Sequence, residues 1–169
     1  MQVPKRKSEM DRLAGRQEDH YMTAEKVRRL KADLEDLERV QRPKAVEDLT
    51  KAREMGDLSE NAAYTEAKAR LGRIDGRVLS IKDRLKNAII IETGADPSGK
   101  IRIGSTVVLM INGNRRTYQI LGSQETNPAA GRISHLSPLG KALIDRRAGE
   151  TVTVAANGRD IVYTIVEVK

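Results

Sequence analysis

Apolar residues recur at alternating spacings of four and three along Ala67, Leu71, Ile74, Val78, Ile81, Leu85 and Ala88. That is the a/d seam of a coiled coil. Upstream, Val27, Leu30, Leu34 and Leu37 keep the same spacing, and Val40, Val46 and Leu49 follow in a looser register. Folded back antiparallel, the opposed positions have residue numbers with a constant sum of about 115, pairing Val27 with Ala88, Leu30 with Leu85, Leu34 with Ile81 and Leu37 with Val78. The pattern predicts a helical hairpin that turns at residues 57–58. Thr23 is placed to N-cap the first helix, which runs to about Met55 and is interrupted by Pro43. The seam also shifts register there, so a kink near Arg42-Pro43 is expected. Gly56 is a natural terminator. The second helix is predicted from about Leu58 to Asn87, a rod of roughly 45 Å.

After the hairpin the period changes from helical to two. Ala88-Ile-Ile-Ile91 begins the alternation, and Thr93-Gly-Ala-Asp-Pro-Ser-Gly99 reads as a linker of turn-formers. Thr106–Ile111 and Arg116–Leu121 flank Asn112-Gly113, and Thr151–Ala155 and Ile161–Val166 flank Asn157-Gly158; both are hairpin signals. Gly131–Leu136 reads as a further strand, and Pro138–Ile144 as a short helix with proline in its first turn. The expected fold class is α+β, with a small antiparallel sheet and one helix beyond the rod. Four segments are expected: a mobile polar extension at 1–21, the coiled coil at 22–92, the linker at 93–99 and the β-domain at 100–169.

Composition narrows the chemistry. The 169 residues include no Cys, Phe or Trp, so a compact core must use Ile, Val and Leu. Disulfides, thiolate metal sites and thiol catalysis are excluded. A cytoplasmic location fits the absence of Cys, and no apolar run reaches the roughly 18–20 residues of a membrane span, so no membrane association is expected. The net charge of +7 favours an acidic or polyanionic partner, whereas 2% aromatic content is too little for a base-stacking platform. His20 and His135 are isolated and read as ordinary surface or packed residues.

Arg53–Glu66 lies where the rod must turn. Asp57-Leu-Ser-Glu60 has the spacing of a capping box, which is one complete account of it. A second account begins from position: a rod that buries little carries two carboxylates at its far end. Two carboxylates within one helical turn offer hard oxygen ligands to a divalent cation, but they need further ligands from a partner.

Gly56-Asp-Leu-Ser-Glu-Asn-Ala-Ala-Tyr64, set between coiled-coil arms and followed by a small β-domain, resembles the bacterial Gre transcript-cleavage factors over residues 22–169. Ser137-Pro138-Leu-Gly-Lys-Ala-Leu143 resembles that family's Ser-Pro-x-x-x-x-Leu segment. The resemblance implies an FKBP-like C-terminal domain that docks on RNA polymerase through Ser137 and Pro138. It also implies a rod that enters the polymerase secondary channel. Asp57 and Glu60 match the acidic pair that assists the polymerase's own cleavage of backtracked RNA, and Gly56, Asn61 and Tyr64 match positions that support the tip. The chain would then be a monomeric accessory factor, not an enzyme, with no cofactor of its own. The metal would be Mg²⁺ of the polymerase, shared by Asp57 and Glu60. Lys26 and Leu136 depart from the family, which commonly has Gly and a polar residue there.

Arg70, Arg73, Arg77 and Arg84 form a stripe beside the seam. By the constant-sum rule Arg77 faces Glu38, and Arg73 faces Arg42 with Lys44 close by. The cluster Arg42, Lys44, Arg70 and Arg73 therefore lacks local acids in this reading and lies roughly 20 Å behind the tip. Phosphate contact with the 3′ end of extruded nascent RNA and a solvated flank of the coiled coil are both open. Two rival functions remain beside cleavage stimulation. A peptidyl-prolyl isomerase would need an aromatic-lined pocket, for which the C-terminal half offers only Tyr118 and Tyr163. A channel-binding regulator would occupy the polymerase without promoting cleavage.

Overall fold

A computed structural model of the chain describes residues 19–55, 62–94, 96–156 and 158–169. Their contacts divide them into two compact units, one of residues 24–88 and one that joins the described residues up to Thr23 to Ile89–Lys169. The division differs from the expected rod of 22–92, because the chain leaves and re-enters the β-unit through short strands at both feet of the hairpin.

In the helical unit, α1 (Ala24–Asp36) continues through a π-helical turn (Leu37–Gln41) into α2 (Arg42–Glu54), and α3 (Ala62–Asn87) returns. Glu25 in the first turn of α1, and Lys51, Arg53, Arg84 and Lys86 in the last turns of α2 and α3, match the helix dipoles. The α3 seam is as the spacing predicts: Ile74 and Ile81 are buried, and Ala67, Leu71, Val78, Leu85 and Ala88 half-buried.

The first arm departs from its prediction at the π turn. The Arg42 N–H donates to the Leu37 carbonyl, five residues back. Pro43 has no N–H to continue the ladder, and its ring crowds the preceding turn. Widening the helix by one residue accommodates it and rotates every later side chain by roughly 100°. The seam therefore passes from Leu37 to Ala45 and Ala52, both buried, while Val40 and Val46, expected to face the partner helix, are 58% and 39% exposed. Alanines at these positions bring the distal arms close together.

In the β-unit, β1 (Tyr21–Thr23) pairs in parallel with β2 (Ile89–Ile91), in the register Tyr21↔Ile89. Met22 and Ile91 are buried beneath this ribbon. Thr23 immediately precedes α1, as the capping argument placed it. Residues 1–18 of the expected mobile extension lie outside the described residues, but Asp19–Tyr21 belong to the folded unit.

The main sheet has the order β5-β4-β3-β7-β6, from β3 (Thr106–Ile111), β4 (Asn114–Leu121), β5 (Arg132–Ser134), β6 (Thr151–Ala156) and β7 (Arg159–Val168). Asn112 and Gly113 have φ of 48° and 78°, the left-handed pair that a tight hairpin turn requires. The sheet is mixed where an antiparallel one was expected, since β4 and β5 run parallel. The connection between them is too long for a hairpin and holds two 3₁₀ turns, Ser123–Glu125 and Pro128–Ala130. It returns β5 in the direction of β4. Helix α4 (Pro138–Leu143) covers the inner face, where Leu143 joins Ile101, Val107, Leu109, Ile120, Ile133, Val152 and Ile165 in a core without Phe or Trp.

Candidate functional site

Gly56, Asp57, Glu60 and Asn61 lie outside the described residues, as does the expected start of the second helix. The structure describes what flanks them. Helix α2 ends at Glu54, Met55 follows with most of its surface exposed, and α3 begins at Ala62. The tip segment therefore joins the ends of two helices that pair closely. Tyr64, in the first turn of α3, is half-buried. Ala52, Met55, Ala63 and Ala67, with Asp48, Lys51, Glu66 and Arg70, line an open groove of about 340 Å³ at the distal ends of α2 and α3. Among the described residues no three His, Cys, Asp or Glu side chains converge as a metal site.

Arg42, Arg70, Arg73 and Arg77 each form an ion pair, which corrects the expectation that the cluster lacks acids. Arg42 Nε lies 2.8 Å from Asp75 Oδ1, Arg70 Nη1 3.1 Å from Asp48 Oδ2, and Arg73 Nη2 2.8 Å from Glu66 Oε1. Further towards the base, Lys82 takes Glu38 at 2.6 Å, and Arg77 takes Asp33 in place of the expected Glu38. Two causes moved the partners. The constant-sum rule describes residues on the seam, whereas flank residues reach diagonally, and the π turn shifts α2 by one residue. Lys44 is exposed and lies near Glu47, whose carboxyl is held below its usual range chiefly by a hydrogen bond from Lys51, then by the charge of Lys51, and slightly by that of Lys44. All these pairs are solvent-exposed, so water screens them and each adds little to stability.

Ser137 N-caps α4: its Oγ accepts from Gly140 N at 3.0 Å and donates to Ser134 O at 2.6 Å. Its hydroxyl is thus committed to the turn, whereas Pro138 at the first helical position and Leu136 beside it are exposed. Gly140 is buried so tightly that a Cβ would sit 2.1 Å from the Ser134 carbonyl oxygen. Strand β5, the cap and α4 form one unit that presents Leu136 and Pro138 outward.

Sequence reasoning missed the residues that fasten β1 to the β-unit. Asp19 is buried and accepts from Tyr21 N at 3.1 Å and from Ser123 N, and its Oδ2 lies 3.5 Å from His135 Nδ1. Tyr21 meets the His135 ring edge-on, with centroids 5.4 Å apart. Glu125 accepts from both Thr23 N (2.7 Å) and Thr23 Oγ1 (2.6 Å). Gly122 lets the chain pass, since a Cβ there would lie 2.0 Å from the Tyr21 carbonyl oxygen. His135 is therefore a packed residue, one of the two readings its sequence position allowed. No local pattern could have revealed these contacts, which join residues about a hundred positions apart.

Residues 20–90 match the family described as "Transcription elongation factor, N-terminal", and residues 96–169 match "Transcription elongation factor, GreA/GreB, C-term". The chain belongs to the GreA/GreB family of transcription elongation factors. It is 37% identical over 150 residues to transcription elongation factor GreA of Bacillus anthracis, covering 88% of this chain and 95% of that one. It is 40% identical over 149 residues to GreA of Thermomicrobium roseum, covering 88% and 96%. Among solved structures, GreA factor homolog 1 (Gfh1) of Thermus thermophilus is 28% identical, with a TM-score of 0.40 over 89% of this chain and 99% of that one. No helix of the described residues is long and apolar enough to cross a membrane.

Proposed function

We propose that the chain binds bacterial RNA polymerase, inserts its helical hairpin into the secondary channel, and stimulates the polymerase's own Mg²⁺-dependent cleavage of backtracked RNA. The observation that carries this reading is the intact motif Gly56–Tyr64, which runs from the segment linking α2 to α3 into the start of α3, in a GreA/GreB family chain. Asp57 and Glu60 are hard oxygen donors three residues apart in the sequence, which suits Mg²⁺ but supplies too few ligands to hold it alone. The ion would be the polymerase's, completed by polymerase carboxylates, and the chain needs no cofactor of its own. Bound there, Mg²⁺ would ease deprotonation of the attacking water and offset charge that develops on the phosphate. Asp57 would contact the ion or its waters, and Glu60 would orient the attacking water. Gly56, Asn61 and Tyr64 would brace the turn. In this role the chain is an accessory factor and acts as a single copy.

The test is direct. Added to a stalled, backtracked elongation complex, the protein should release a short RNA fragment from the 3′ end and leave a transcript that can be extended again. Binding without release would instead mark a regulator that only occupies the channel.

Docking is assigned to the exposed Pro138 on its Ser137 cap. Pro138→Ala leaves the N-cap in place, so its fold should be unchanged, while competition with the parent chain for polymerase should show affinity reduced by about 3- to 10-fold. Unchanged affinity would move docking elsewhere on the surface.

For Arg42, Lys44, Arg70 and Arg73, the role proposed is contact with phosphates of the extruded RNA. The ion pairs make it conditional, because Arg70 and Arg73 must share their charge with Asp48 and Glu66. Neutralising Arg70 and Arg73 together should depress cleavage most on deeply backtracked complexes and flatten its salt dependence. Asp48→Asn should do the reverse by releasing Arg70. If both variants alter only thermal stability, the stripe serves the hairpin alone.

A further inference from the structure

We propose that β6 is a self-association edge, where two copies of this chain pair antiparallel about Thr153 and join their sheets. Of the two edges of the main sheet, β5 is only three residues long, whereas β6 presents Thr151-Val-Thr-Val-Ala-Ala156 without a charge or a proline. Edges of that kind are templates for a further strand, and natural sheets usually protect them.

The hydrogen-bond pattern fixes which groups are on offer. Ile165 N donates to Glu150 O and Ile165 O accepts from Gly149 N, both at 2.8 Å, so the polar groups of Ile165 point towards the β6 side. Antiparallel alternation turns those of Tyr163 and Ile161 the same way, onto their register partners Val152 and Val154. The N–H and C=O groups of Thr151, Thr153 and Ala155 consequently point past the edge. Among the described residues, no backbone hydrogen bond from outside the β6–β7 ladder reaches these three.

The outward residues are symmetric about Thr153. In a two-fold arrangement Thr153 lies opposite its own copy and Thr151 opposite Ala155, so every outward N–H meets an outward C=O. The side chains of these three are exposed and uncharged, and Val152 and Val154 stay in their own core. Charge selects the orientation. In the antiparallel register Glu150 falls opposite Ala156 of the second copy, whose β7 neighbour is Arg159. The two charged residues then lie on one face about 10 Å apart at the backbone, within reach of two long side chains. A parallel pairing would set Glu150 beside Glu150. The Glu150 carboxyl is held below its usual range by a hydrogen bond from Arg146, then by the Arg147 N–H, so it carries its charge at neutral pH.

Pairing of one short strand buries less than the roughly 1,000 Å² typical of stable complexes, so association is weak and appears only at high concentration. Sedimentation equilibrium of the full chain over a hundredfold concentration range tests it. Parent protein should show a mass that rises with concentration. Thr153→Pro removes an outward N–H without touching the β7 ladder, and Thr153→Lys sets like charges face to face on the axis. With unchanged circular dichroism, each should weaken association at least tenfold. A parent chain that stays monomeric throughout, or association retained by either variant, overturns the proposal.

Discussion

Alanine at Asp57 or at Glu60 is expected to lower stimulated RNA cleavage by on the order of 100-fold, with polymerase affinity changed by less than about twofold. The two effects separate because the carboxylates supply ligands to a reacting centre and no docking surface, which the proposal places on the β-unit. The capping-box reading of Asp57 and Glu60 predicts a different outcome. Loss of a cap costs about 1 kcal/mol of helix stability, and a hairpin held by the Ile74 and Ile81 seam and the ion pairs along its flanks would keep its arms together. Conservative variants sharpen the contrast. Asp57→Asn can still cap a helix but is a poor ligand for Mg²⁺, so it should cleave no better than the alanine variant while melting like the parent. Full cleavage by Asp57→Asn would leave the motif as a helix cap.

The second large effect is structural. Gly140→Ala places a methyl group 2.1 Å from Ser134 O and close to the His135 backbone, contacts that involve main chain and cannot swing aside. Either α4 lifts from β5 or the Ser137 cap breaks, and both uncover the core at Leu143 and Ile133. A loss above about 3 kcal/mol is expected, read as a fall in Tm of more than about 10 °C for a unit of this size. Polymerase affinity should fall with it, because Pro138 rides on that cap. Gly122→Ala, blocked by the Tyr21 carbonyl, should behave similarly but by loosening β1. A Gly140→Ala protein with unchanged melting would contradict the packing of α4 described above.

What was legible in the sequence follows the physics of short range. The α3 seam could be read because coiled-coil spacing repeats without interruption from Ala67 to Ala88. The β3–β4 hairpin could be read because Asn112-Gly113 admits positive φ at both positions. The first arm was only half legible. Pro43 signals a disturbance, but whether a helix kinks or widens depends on the partner arm, and the widening moved Val40 and Val46 into solvent. Gly131–Leu136 was legible as a strand, but its parallel direction and the β1–β2 ribbon were illegible for a different reason. Three-residue strands carry no periodicity, and Asp19, Glu125 and His135 acquire partners only through the fold. The acidic motif was legible at once; its chemistry was not, since two carboxylates three residues apart cap a helix as readily as they share a cation.

The Mg²⁺ dependence of cleavage decides between those two readings most directly. Cleavage by a backtracked polymerase is followed across a Mg²⁺ titration, alone, with the parent chain, and with the Asp57→Asn/Glu60→Gln variant. If the tip completes the coordination of a shared ion, the parent should lower the Mg²⁺ concentration needed for half-maximal cleavage by about tenfold or more, and the double variant should leave it where polymerase alone does. A parent chain that raises the rate at saturating Mg²⁺ without moving that midpoint, or a double variant that moves it equally, would contradict the account.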